Sequence, residues 1–190
     1  GAIICIMAFT PFLGYIPLGF TRATIIHIPV IIASLLMGPK KGGALGFLFG
    51  LTSFINNTIN PSATSFVFTP FYSLGEFSGG IGSVIICFIP RILVGIVPYF
   101  VYKLVLRLSS ETTKNRGVSN IGLVLAGISG ALVNTLLVMN LIYIFFGDAY
   151  IKASEKAVSL GYMVILSIIG INGVPEAIIA GILTLCIGKV

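Results

Sequence analysis

Between residues 82 and 102 the chain runs for about one bilayer thickness without a full charge other than Arg91. A guanidinium does not shed its proton, and placing one near the centre of a spanning helix costs roughly 2.5 to 3.5 kcal/mol on the mildest scale. Something polar must therefore face it. One reading puts Arg91 in a wet cavity inside a helix bundle, where its planar fork takes a ligand carboxylate or phosphate. The other is a structural pair with Glu176, the one acidic residue inside another apolar run, or a rotamer that snorkels to the interface. Intramembrane ions mark functional sites by default, so the ligand reading takes precedence.

The remainder of the chain agrees with a bilayer as solvent. Of its 190 residues 57% are hydrophobic and 8% charged, against about 25% charged in soluble domains. The apolar blocks reach helix length, and none shows the ~10-residue alternation of an outer-membrane strand. The expectation is an all-α membrane protein forming one domain over residues 1–190. Cys5, Cys87 and Cys186 lie in apolar runs without CxxC spacing and read as packing residues, not as a disulfide or metal framework. The net charge of +6 comes from Lys and Arg flanking the spans, so nucleic acid is not an expected partner.

In chain order, block one (residues 1–14) is shorter than a span, so part of the first helix is expected to precede Gly1; it lacks the basic start of a signal peptide. Block two covers 25–37, with a start near Thr21 as an option, and ends at the turn Gly38-Pro39-Lys40-Lys41-Gly42-Gly43. Block three, 44–55, carries Gly42, Gly46 and Gly50 at i, i+4 and i+8, a face that lets another helix come close. Residues 56–82 are polar by this chain's standards, yet Phe66, Phe68, Phe71, Tyr72 and Phe77 predict a loop that packs down as a cap. The Arg91 span follows, then an aqueous connector at 109–120. Block five covers 121–146, followed by a loop with Asp148, Lys152, Glu155 and Lys156. Gly170, Asn172, Gly173 and Pro175 divide the last run into a short interfacial or re-entrant helix, 158–169, and a sixth span, 174–187.

Six spans with both ends in the cytoplasm put Lys40, Lys41, Lys103, Arg107, Lys114, Arg116 and Lys189 inside, and Arg22, Lys152 and Lys156 outside. That asymmetry is the positive-inside pattern. In this arrangement Asn56 and Asn57, Arg91, Asn134 and Asn140, and Asn172 and Glu176 come from four helices to a similar depth, open to the outside and roofed by the long third loop with Phe68. Single asparagines in membranes are as readily interhelical ties. Their convergence on one cation predicts a pocket for a small anion bearing several hydroxyl or amide groups. His27, beside Pro29, reads as a structural donor, and Glu176 as a coupling carboxylate, a partner of Arg91 or a helix cap. GxxxxGK[ST], HExxH and GxSxG are all missing from the sequence, and no His, Cys or Asp cluster offers a nucleophile or metal set, so an enzyme is not expected.

Five stretches, Ile16-Pro17-Leu18-Gly19, His27-Ile28-Pro29-Val30, Met37-Gly38-Pro39-Lys40-Lys41-Gly42, Gly46-Phe47-Leu48-Phe49-Gly50-Leu51-Thr52-Ser53 and Phe88-Ile89-Pro90-Arg91-Ile92-Leu93-Val94-Gly95, resemble the substrate-binding S components of energy-coupling-factor vitamin transporters. The likeness covers nearly the whole chain and is nearest to the pantothenate-specific members. It implies a bacterial cytoplasmic-membrane protein that captures the vitamin from outside and uses no cofactor. It further implies a transmembrane coupling subunit and two cytoplasmic ATPases as partners. By resemblance Arg91, Asn56 or Asn57, and Asn134 hold pantothenate. The family's AxxxA docking spacing on helix one has its nearest counterpart here in Gly1-xxx-Cys5. A riboflavin-binding S component is the alternative within the family. A solitary proton-coupled permease using Glu176 and His27 is the alternative outside it, although no inverted repeat relates residues 1–95 to 96–190.

Overall fold

The computed structural model describes residues 1–10, 15–18, 21–75, 77–108, 116–153 and 162–188. It is a mostly helical chain in the order α1 (Ala2–Phe9), β1 (Tyr15–Leu18), β2 (Thr21–Thr24), α2 (His27–Met37), α3 (Pro39–Ile59), β3 (Ser73–Leu74), β4 (Phe77–Ser78), α4 (Ile81–Val94), α5 (Val97–Leu108), α6 (Arg116–Ala153), α7 (Tyr162–Ile168) and α8 (Val174–Gly188). The strands form two small antiparallel hairpins, with Tyr15 opposite Thr24 in one and Ser73 opposite Ser78 in the other. Among the described residues, three helical stretches are long and apolar enough to cross a membrane: Ile81–Leu108, Ser119–Lys152 and Tyr162–Gly188. Leu36, Ile144, Met163, Ile171 and Ile178 point outward from the bundle, as lipid-facing side chains must.

The turn between α2 and α3 is a single residue. Gly38, at φ 84°, closes α2 with its N–H on the Ser34 carbonyl, and Pro39 opens the next helix. Proline suits that first position because its missing N–H would be an orphan there anyway. Lys40 to Gly43, expected as part of the turn, are therefore helical, and α3 continues through Asn56 and Asn57 to Ile59. The glycine face does what its spacing implies. A Cβ on Gly42 would stand 2.1 Å from the Gly95 carbonyl oxygen, and one on Gly46 2.2 Å from that of Arg91, so α3 and α4 touch backbone to backbone.

Other segment boundaries differ from expectation too: Arg116 to Asn120, expected in the aqueous connector, open α6. Residues from Tyr162 onward are not a separate interfacial or re-entrant helix: α7 runs into α8 through one π turn, Ile169–Gly173. A π turn absorbs the Gly and Asn residues that read as a break, because it widens the helix by one residue without ending it. Residues 158–161 lie outside the described ones. Asp148 and Lys152, expected in a loop, are carried on α6, which kinks at Phe146 (φ −138°, ψ 21°) and continues.

The segment after α3 packs down as expected except at Phe71, which is exposed. Phe66 and Val67, in one turn of 3-10 helix, are fully buried against Ile86, Val138, Ile142, Tyr150 and Ile165. The Phe66 ring stacks on Phe77 at 6.0 Å and meets Phe146 edge-on at 5.9 Å. The Ser83 hydroxyl, at the start of α4, accepts from the Gly80 N–H and donates to the Phe66 carbonyl at 2.7 Å, tying this cap to the Arg91 helix. A second core, around Ile26, Ile31, Phe49 and Val94, joins α2, α3 and α4.

Candidate functional site

The site begins with the dipeptide Pro90-Arg91. Proline has no N–H to give to the residue four before it, so the Ile86 carbonyl loses its donor inside α4. The Arg91 guanidinium folds back along the helix and donates to that same carbonyl. Long helical side chains lean towards the N-terminus, so the next residue after a proline is well placed to do this. Two rings complete the seat: the guanidinium carbon lies 5.1 Å from the Phe68 centroid and 5.7 Å from that of Phe49, both within cation–π range. Arg91 is buried.

This charge lines a cavity of about 100 Å³ that opens to a wider mouth. Asn57, Phe68, Arg91, Asn134, Asn172 and Glu176 all line it, drawn from α3, the capping segment, α4, α6, the π turn and α8. Asn57 is held from both sides, its Nδ2 donating to the Ser53 carbonyl at 2.9 Å and its Oδ1 accepting from the Ser65 hydroxyl at 2.8 Å. Asn134 Oδ1 is buried with no hydrogen-bond partner among the described residues. An unmet buried acceptor costs about 1–3 kcal/mol.

Glu176 stands just past the π turn, at the start of α8. Its Oε1 accepts from the Thr24 N–H at 3.0 Å and its Oε2 from the Thr135 hydroxyl at 3.2 Å. Thr24 is the last residue of the β1–β2 hairpin, so this carboxylate ties the hairpin to α6 and α8 beside the cavity. Arg91 and Glu176 interact electrostatically within it.

Two of the sequence-derived residues are placed elsewhere. Asn140 is not in the cavity lining; its Nδ2 donates to the Leu136 carbonyl and its Oδ1 accepts from the Tyr162 hydroxyl at 2.8 Å, a tie between α6 and α7. Asn56 also lies off the lining, with its Oδ1 accepting from Asn60 Nδ2 at 3.2 Å. The reason is helical phase. Ser53 and Asn57, four apart, share the cavity face of α3, while Asn56 and Asn60 share the next one. On α6, Asn134, Val138 and Ile142 form one stripe, and Asn140 lies roughly 120° from Asn134 and roughly 160° from the other two by the 3.6-residue period.

The sequence reading missed Thr24, Ser53, Thr64, Thr135 and Tyr150, all in the lining. Thr135 was within reach of the same stripe argument; Thr24 contributes its main chain, which no side-chain pattern reports. His27 is buried at the start of α2 and outside the lining. Among the described residues there is no group of His, Cys, Asp or Glu able to hold a metal.

A cavity lined by a guanidinium, a carboxyl group and several amides and hydroxyls, enclosed by apolar helices, gives a membrane protein a polar interior site. The chain belongs to the family described as ECF transporter, substrate-specific component, whose pattern it matches over residues 1–188. It is similar to the "Pantothenic acid transporter PanT" of Lactococcus lactis subsp. cremoris, 42% identical over 167 residues, 87% of this chain and 76% of that one. It is also similar to the "Pantothenate transporter PanT" of Leuconostoc mesenteroides subsp. mesenteroides, 31% identical over an alignment covering 100% of this chain and 86% of that one. The chain is thus a transporter component and not an enzyme.

Proposed function

We propose that this chain captures pantothenate from outside a bacterial cell and holds it in the Arg91 cavity for ATP-driven uptake. The observation that carries the reading is a guanidinium fixed inside a membrane bundle, facing a cavity that also holds the partnerless Asn134 acceptor. Pantothenate is chemically suited to both. Its carboxylate pairs with the Arg91 fork, and its hydroxyl or amide N–H supplies the donor that Asn134 Oδ1 lacks. The dimethyl carbon finds apolar walls in Phe68, Val138 and Ile142. The names of the two similar transporters support the same vitamin.

In this reading residues 1–190 are one unit of six spans with both termini cytoplasmic, supported by the excess of Lys and Arg on the loops assigned inside. The cavity then faces outward in the cytoplasmic membrane. Since the sequence has no nucleotide-binding loop, the energy comes from a transmembrane coupling subunit and two ATPases. Cells lacking pantothenate synthesis and expressing this chain alone are expected to take up no labelled vitamin. Adding the coupling subunit and ATPases should restore uptake. Full ATP-independent uptake by the chain alone in proteoliposomes would overturn the assignment.

A further inference from the structure

The cavity holds a carboxyl group that the binding of an anion to Arg91 leaves unaccounted for. Arg91 and Glu176 line the same space, a guanidinium and a carboxyl group. Seating an organic carboxylate on Arg91 brings a second carboxyl group into an interior that screens charge poorly, and two carboxylates sharing a site cannot both stay ionised at little cost. We propose that Glu176 takes up one proton when the anionic ligand binds, so that the cavity loads an organic anion together with a proton. This rests on the reading that Arg91 receives the ligand's carboxylate.

The hydrogen bonds around Glu176 permit the change without moving a heavy atom. The Thr24 N–H can only donate, and it keeps Oε1 as its acceptor in either state. The Thr135 hydroxyl, 3.2 Å from Oε2, both donates and accepts. With Glu176 ionised it donates; with Glu176 protonated it accepts from Oε2–H, and its own proton turns towards the ligand. Thr135 lies in the cavity lining beside Asn134, so that freed donor is available within the cavity. The other charged and titratable groups facing Glu176 among the described residues are Arg91 from α4 and Tyr150 from α6, with the Asn172 amide from the π turn. His27, on α2, is buried but outside the lining.

The test is titration calorimetry of pantothenate into the purified full chain, in two buffers of different ionisation enthalpy at about pH 7. Uptake of up to one proton per ligand is expected, with Kd rising with pH by up to roughly tenfold per unit wherever the empty site is ionised and the loaded one protonated. Glu176→Gln has the shape of the protonated acid, with Oε1 for Thr24 and Nε2 for the Thr135 oxygen. It is expected to bind with a buffer-independent heat and a flat pH profile. Buffer-independent heats in the unaltered protein overturn the proposal while leaving the role of Arg91 intact, and that result does not depend on the variant folding. Proton uptake that persists in Glu176→Gln overturns it too, by placing the proton elsewhere. An unaltered chain that binds no pantothenate overturns both this proposal and the reading beneath it.

Discussion

Arg91→Ala is expected to weaken pantothenate binding by roughly a hundredfold or more in an equilibrium binding assay. Truncating one partner of a buried, hydrogen-bonded charge pair costs about 2–5 kcal/mol, and each 1.4 kcal/mol is tenfold in Kd. The loss falls on the ligand because the guanidinium is already positioned before binding, held by the Ile86 carbonyl and between the Phe49 and Phe68 rings. Arg91→Lys should recover only part of the affinity: an ammonium keeps the charge and loses the planar two-point fork. Lys103→Ala serves as the control. Its ammonium stacks over Tyr99 on α5, at 5.3 Å, and not in the cavity. Removing it should leave Kd within about twofold.

The second large effect concerns the seam that holds Arg91 in place. Gly46→Ala is expected to lower the unfolding temperature of the detergent-solubilised protein sharply and to reduce ligand binding with it. The added Cβ would lie 2.2 Å from the Arg91 carbonyl oxygen and 2.9 Å from its carbonyl carbon, both rigid main-chain atoms. The two helices must separate, at a cost of about 1–3 kcal/mol or more for overpacking a tight contact. Gly42→Ala, 2.1 Å from the Gly95 oxygen, should behave alike, whereas Gly50→Ala, whose nearest neighbour is a Phe88 ring carbon at 3.0 Å, should be milder. Gly117→Ala meets nothing within 4 Å near the start of α6, and is expected to be neutral or slightly stabilising, since Ala is the better helix former by about 1 kcal/mol. Thermal unfolding of the four variants side by side checks the ranking; equal behaviour of Gly46→Ala and Gly117→Ala would mean that α3 and α4 do not touch as described.

Much of this was legible in the chain because bilayers punish exceptions. A charge in an apolar run has few excuses, so Arg91 stood out, and glycines at i, i+4 and i+8 have little purpose in a helix beyond close approach. The same logic failed where one residue type serves two purposes. Gly170, Asn172 and Gly173 read as a helix break, yet one π turn accommodates them within a continuous helix. Asn140 and Asn134 are alike in type and near in sequence, and only their helical phase separates a tie to Tyr162 from a cavity residue. The Thr24 contribution was beyond the sequence altogether, since it is a main-chain N–H brought to Glu176 by a hairpin turn. The role of proline 90 was legible only in retrospect. Its effect is to vacate a carbonyl four residues back, and that matters because the following residue is an arginine.

The most direct measurement is a comparison of two ligands on one unaltered protein: pantothenate, and the alcohol in which its carboxylate is replaced by a hydroxymethyl group. If Arg91 holds the acid, the purified chain should bind pantothenate roughly a hundredfold more tightly than the alcohol. Equal affinity for the two would mean that the buried cation does not recognise the carboxylate, and would contradict the account.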